Sequence, residues 1–204
     1  SKFWWQHPMS AGLQVSIPIF SGLTKMNRSR EIKNQISQIG LQRDYARQQI
    51  DVEVRAALND LVVRGVQYAQ AADLYAVVDW HTLSDANPLT NQWAAEEFFR
   101  SVSGALGDAD NVIYEICNEP NGSTSWADIK AYAEAVIPII RANDPDAVIV
   151  VGTPTWSQDL AAAAADPLPD ANVMYALHFY AATHEDDLRH ALSTAVAGGL
   201  PGFV

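Results

Sequence analysis

From residue 73 onward the sequence repeats one unit: a short apolar run, a polar or aromatic stop, then a stretch with helical spacing. Residues 74–78 stop at Asp79-Trp80-His81, and residues 112–117 stop at Asn118-Glu119-Pro120. Residues 147–151 stop at Gly152-Thr153-Pro154-Thr155-Trp156, residues 172–177 stop at His178-Phe179-Tyr180, and Pro201 opens a fifth run. Helices are expected in the intervals, near residues 92–106, 125–141, 158–165 and 186–197. Ser125 and Asp128 have the spacing of a capping box, and Pro138 is expected to kink the helix they open. Such alternation leaves little choice of fold. Successive strands must run parallel, because each return needs a crossover long enough to hold a helix.

In a parallel array every strand ends at the same edge of the sheet, so the stops collect on one rim: His81, Asn118, Glu119, Trp156, His178 and Tyr180. That is the layout of the active face of a TIM (β/α)8 barrel. The expected fold is therefore α/β, a partial barrel of about five parallel strands. Residues 112–122, VIYEICNEPNG, carry the densest signal. Alternation along a strand puts Glu115, Cys117 and Glu119 on one face, and Pro120 ends the pairing because it has no N–H. Taken singly, each rim residue has an ordinary account: a satisfied core histidine, a core tryptophan, a glutamate capping a loop. Asp79 and Glu115 are expected to point into the barrel and pair with polar neighbours. Four consecutive strands with such ends are not explained by those accounts.

Residues 1–72 have a different character. They carry nine Lys+Arg against five Asp+Glu, a net of +4, whereas residues 73–204 carry four against nineteen, a net of −15. The basic charges are spread and mixed in sign, so they form no nucleic-acid patch, and the acidic remainder suits a neutral substrate. Leu13, Val15, Ile17 and Ile19 alternate with Gln14, Ser16 and Pro18, which predicts a strand with Pro18 at an edge or irregular position. Phe3, Trp4 and Trp5 precede it, and Phe20-Ser21-Gly22 is expected to turn the chain. Residues 24–73 contain no proline. Ile32, Ile36, Ile39, Ala46, Ile50, Ala57 and Leu61 keep a 4/3 spacing, which predicts one helix about 70 Å long with a coiled-coil-like seam. The expected domains are thus residues 1–72 and 73–204. An apolar fraction of 49% supports a packed core, and the single cysteine, Cys117, excludes an internal disulfide. No run of about 18 apolar residues exists to make a transmembrane helix, and no signal-peptide pattern follows Ser1.

The strand, its Ser-Ile-Pro-Ile-Phe-Ser-Gly exit and the long Arg/Gln-rich helix resemble the outer-membrane efflux protein family over residues 9–70. That resemblance implies a membrane β-barrel strand leading into a periplasmic helix, and membrane contact only if the segment acts as it does there. A second resemblance covers residues 73–204 and is more specific. Asp79-Trp80-His81, YEICNEPNG at 114–122, GTPTWSQD at 152–159 and ALHFY at 176–180 resemble glycoside hydrolase family 5 endoglucanases of the cellulase A type, strands three to seven of the barrel. It implies a retaining endo-β-1,4-glucanase that needs neither metal nor cofactor and takes cellulose as its partner. By the same resemblance Glu119 is the acid/base and Asn118 holds the sugar 2-hydroxyl. His81 contacts the sugar at the cleavage site, His178 and Tyr180 position the nucleophile, and Trp156 stacks on a glucose ring. A bacterial extracellular or periplasmic location follows from it too.

Retaining hydrolysis needs an acid to protonate the leaving oxygen and a second carboxylate about 5–5.5 Å away as nucleophile. A buried, apolar strand end is expected to help Glu119 hold its proton. In the resembling family the nucleophile is a Glu just after the seventh strand, and this chain stops within that strand, at Gly202-Phe203-Val204. Glu115 is the nearest substitute, but four extended residues from Glu119 span about 13 Å. Glu185 to Asp187 have no anchored geometry. Little turnover is therefore expected of the chain as given. The alternatives are an efflux or transport component using residues 1–72, and a composite of two fragments with no function of its own.

Overall fold

The computed structural model describes residues 13–15, 22–184 and 186–204. It divides into two compact units, Ser1–Glu53 and Val54–Val204. Helix α1, Gly22–Ala71, runs from one into the other. In the first unit the described residues are helical from Gly22, while Leu13–Val15 form no strand and are exposed. The strand predicted over residues 13–19 is therefore not formed at its first three positions. Alternation does not by itself supply a partner for a strand's backbone groups, and none pairs with Leu13–Val15 among the described residues. The rest of that expectation, with Phe3, Trp4, Trp5, Phe20 and Ser21, lies outside the described residues. Gly22 begins the helix instead of closing a turn. The seam predicted on α1 is present in spacing but exposed at Ile32, Ile36, Ile39, Ile50 and Leu61.

The second unit is a five-stranded parallel sheet in the order β1-β2-β3-β4-β5. The strands are β1 Ala76–Asp79, β2 Val112–Glu115, β3 Val148–Val151, β4 Val173–Ala176 and β5 Gly202–Phe203. Helices α2 Gln92–Leu106, α3 Trp126–Arg141, α4 Leu160–Ala165 and α5 Asp186–Ala197 stand in the predicted intervals. The inner strands β2, β3 and β4 are largely buried on both faces, which is why β3 reads as an unbroken apolar run, VIVV. On α3, Ile129, Tyr132, Ala133, Val136, Ile137 and Ile140 are all fully buried, the i, i+3, i+4 stripe of a helix laid on a sheet. Ser125 caps α3: its hydroxyl accepts from Asp128 N, and the Asp128 carboxylate accepts from Ser125 N at 2.9 Å. Pro138 falls in the last turn of α3, and the helix continues to Arg141.

The last turns of α1 belong to this unit. Val66 is buried, and Asn111 donates to Leu74 O at 3.0 Å. The compact unit consequently starts inside the helix and not at the change of composition near residue 73. All strand C-termini lie at one end of the sheet, as parallel pairing requires, with Asp79, Glu115 and Val150 in register across β1, β2 and β3.

Candidate active site

β2 stops at Glu115, two residues before the sequence pattern suggests, because the backbone changes partners. Ile116 N still donates to Val150 O of β3, but Asn118 N turns to Trp80 O and Glu119 N to Thr82 O at 3.0 Å. The Asn118-Glu119-Pro120 segment is thus a bend laced to the loop after β1. Gly152, at the end of β3, passes directly beneath it. A Cβ there would collide with Cys117 O and come within 2.8 Å of Pro120 Cδ, so only glycine allows this approach.

The bend changes the geometry around the two glutamates. His178, at the end of β4, lies between them: its Nδ1–H donates to Glu119 Oε1 at 3.0 Å, and its Nε2 faces Glu115 Oε1 at 3.6 Å. One imidazole meets both side chains, which an extended chain would hold about 13 Å apart. Glu115 is only 7% exposed, and its Oε1 accepts no hydrogen bond among the described residues. Glu115, and then Glu119, hold the imidazolium and push the His178 pKa up to about 8, although burial works against the charge. Glu119 is not enclosed by apolar groups as expected; its side chain is 23% exposed and opens toward a cleft.

Asp79 stands beside Glu115 in register. Burial raises its pKa, Glu115 adds to the effect, and the bond from His81 Nδ1 to Asp79 Oδ2 at 2.7 Å opposes it. The expectation that Asp79 and Glu115 meet polar neighbours holds, and those neighbours are the two rim histidines. His81 itself is largely exposed. Asn118 is buried, and its side-chain amide points its N–H at Thr82 O, 3.4 Å away.

A cleft of about 690 Å³ opens over this cluster and takes in Glu119, Trp156, His178 and Tyr180. His81 and Asn118 stand outside its lining. Trp156 is 48% exposed and sits in a short turn where Thr155, Trp156 and Ser157 have φ of 62°, 57° and 56°. The left-handed conformation costs an L-residue roughly 1–2 kcal/mol each time. The sequence suggested a plain strand end there. Tyr180 lies at the mouth, exposed, with its N–H donating to His184 Nδ1 at 3.0 Å and its ring against that histidine. Gln158 and His184 also line the cleft. Gln158 belongs to the 152–159 motif, and His184 follows Tyr180 by four residues, a position no local signal marks as part of the rim. No group of three or more His, Cys, Asp or Glu placed to hold a metal ion occurs among the described residues.

The family description "Cellulase (glycosyl hydrolase family 5)" matches residues 34–204, starting inside α1. An endoglucanase of Clostridium saccharobutylicum is 51% identical over 140 residues, which cover 68% of this chain and 31% of that protein. Endoglucanase A of Evansella cellulosilytica is 49% identical over 150 residues, covering 72% of this chain and 31% of its own length. The catalytic domain of Thermobifida fusca endoglucanase Cel5A superposes with a TM-score of 0.68 at 44% identity, over 73% of this chain and 50% of that one. A variant of the same domain, solved with cellotetraose, gives 0.69. The chain spans about a third of the length of the curated relatives it matches. With five parallel strands ending in this cluster and a family match across most of its residues, the chain belongs to glycosyl hydrolase family 5.

Proposed function

We propose that residues 73–204 form the acid/base side of a retaining endo-β-1,4-glucanase acting on cellulose. The observation that carries this reading is the Glu119 carboxylate, 3.0 Å from His178 Nδ1 and open to a cleft lined by Trp156 and Tyr180. Glu119 protonates the glycosidic oxygen as the bond breaks, then takes a proton from the water that releases the sugar. The His178 imidazolium stabilises the carboxylate left after the first transfer. Trp156 offers a face to a glucose ring, Asn118 holds the 2-hydroxyl, His81 meets the sugar beside the cleavage point, and Tyr180 steadies the nucleophile. Two carboxylates complete such a reaction, so the mechanism calls for no metal or cofactor. A bacterial extracellular or periplasmic setting suits a polymeric substrate.

Among the described carboxylates none serves as the nucleophile. Glu115 is buried on the far side of the His178 ring. The 204 residues alone are therefore expected to bind cellotetraose weakly and to hydrolyse carboxymethyl cellulose near background. In a chain that supplies a carboxylate about 5–5.5 Å from Glu119, Glu119→Gln is expected to lower turnover of cellulose oligomers by about 10²–10⁴-fold. Activated aryl glycosides, whose leaving groups need no proton, should suffer less. Clear hydrolysis by the 204 residues that disappears in Glu119→Gln would refute the incomplete-site reading.

For residues 1–72, of which residues 34–72 fall within the family match, we propose as a second reading an efflux-type helix, and with it a transport role or a composite without function. What supports this is the exposed 4/3 seam on α1, which an isolated helix has no reason to carry. No described helix is long and apolar enough to cross a membrane. Cross-linking from cysteines at Ile36 and Ile50 to added coiled-coil partners tests it. Failure to capture any helix would remove the support.

A further inference from the structure

The left-handed turn at Thr155, Trp156 and Ser157 is built from residues that individually avoid that conformation. Something must hold it, and the bonds converge on Ser157, which is fully buried. Its hydroxyl donates to Asn118 O at 2.6 Å and accepts from Thr153 N at 3.2 Å. Its carbonyl accepts from His178 N at 2.8 Å. One residue earlier, Trp156 N donates to Pro120 O at 2.9 Å. Asn118 O is the carbonyl that precedes Glu119, and His178 N belongs to the residue whose ring contacts Glu119. Ser157 thus joins the backbones on both sides of the Glu119–His178 contact and, through the same turn, presents Trp156 to the cleft.

We propose that Ser157 is a positioning residue: its hydroxyl bridge to Asn118 sets the spacing of Glu119 and His178 and holds the strained turn that carries Trp156. The functional consequence rests on the glucanase reading of the cleft; the geometric one does not. No substrate contact by Ser157 is implied, since it is buried beneath the turn. A serine suits the position because its small side chain both donates and accepts within one turn.

The test uses the 204-residue chain with Ser157→Ala, Ser157→Gly and Ser157→Cys. Gly removes the hydroxyl and also relieves the positive φ, so it separates bridge from strain. Cys keeps a weak donor of similar size. Two readouts need no ligand: the NMR titration of the His178 ring, which Glu115 and Glu119 flank and Asp79 lies near, and amide hydrogen exchange at Trp156 and His178. Ala and Gly are expected to lower the His178 titration midpoint and to speed exchange at both amides by about tenfold, as loss of a buried hydrogen bond would, with Cys between them and the wild type. β1 amides should stay protected. A third readout, cellotetraose titration followed by Trp fluorescence, should show weaker binding in the same order. Wild-type-like titration and exchange in the Ala and Gly variants would overturn the assignment, as would full recovery in Gly alone, which would leave strain and no bridge. A lower melting temperature with an unmoved His178 midpoint would equally overturn it. If the wild type ignores cellotetraose while the ligand-free shifts appear, the glucanase reading fails and the positioning assignment stands.

Discussion

Replacing Glu115 by Gln removes one carboxylate charge from behind the His178 ring while keeping the side chain's size. In the parent, His178 titrates at about 8 in the folded chain, with Glu115 the leading cause and Glu119 the second, against about 6.5 when unfolded. A folded-state value raised in this way adds stability that is complete below pH 6.5 and lost as pH rises through 8. The 1.5-unit difference corresponds to about 2 kcal/mol. That figure is an upper bound, because the ring is 30% exposed and water screens its charge. Glu115→Gln is expected to bring the midpoint back toward 6.5 and to flatten most of the decline in urea-unfolding stability between pH 6.5 and 8. Asp79 provides an internal control. Glu115 is one of the groups raising its pKa, so that value should fall in the variant. The assay is an NMR titration of the His178 ring beside unfolding curves at pH 6 and pH 9. An unchanged midpoint in the variant would refute the argument that Glu115, whose Oε1 faces Nε2 at 3.6 Å, is what raises the His178 value.

Gly152→Ala is expected to push the Asn118-Glu119-Pro120 bend off β3, because the added Cβ meets Cys117 O and Pro120 Cδ; overpacking of this kind costs about 1–3 kcal/mol, read as a lower unfolding midpoint with the His178 titration disturbed. Trp156→Ala should weaken cellotetraose binding about tenfold, or about 1.4 kcal/mol, in a calorimetric titration while leaving the thermal melt nearly unchanged, since Trp156 is half exposed. Ser125→Ala opens the capping box of α3 and should cost about 1 kcal/mol, a fall of about 2–4 °C in the melting temperature of a chain this size, with no effect on His178.

Much of the second unit could be read directly from residue order. Alternating apolar runs and helical segments determine a parallel sheet because the chain has no shorter way to return, and the Ser125–Asp128 pair marks the start of α3 through a contact only three residues long. Gln92–Leu106 and Asp186–Ala197 stand where residue order places them because helical periodicity is local. That Glu119, Trp156, His178 and Tyr180 lie at one end of the sheet follows from strand direction, which puts His81 and Asn118 there too although they stand outside the cleft lining. What lies across a side chain is not local, and there only the tertiary structure decides. The seam of α1 has the right spacing but is exposed at Ile32, Ile36, Ile39, Ile50 and Leu61. Leu13–Val15 alternate like a strand but pair with no strand among the described residues. Glu115 and Glu119 come to share His178 because Asn118 and Glu119 exchange β3 for the loop after β1, a choice made by backbone donors in three separate segments. Thr155, Trp156 and Ser157 adopt a conformation their own preferences oppose, because four hydrogen bonds from residues 118, 120, 153 and 178 outweigh those preferences once the strands are assembled.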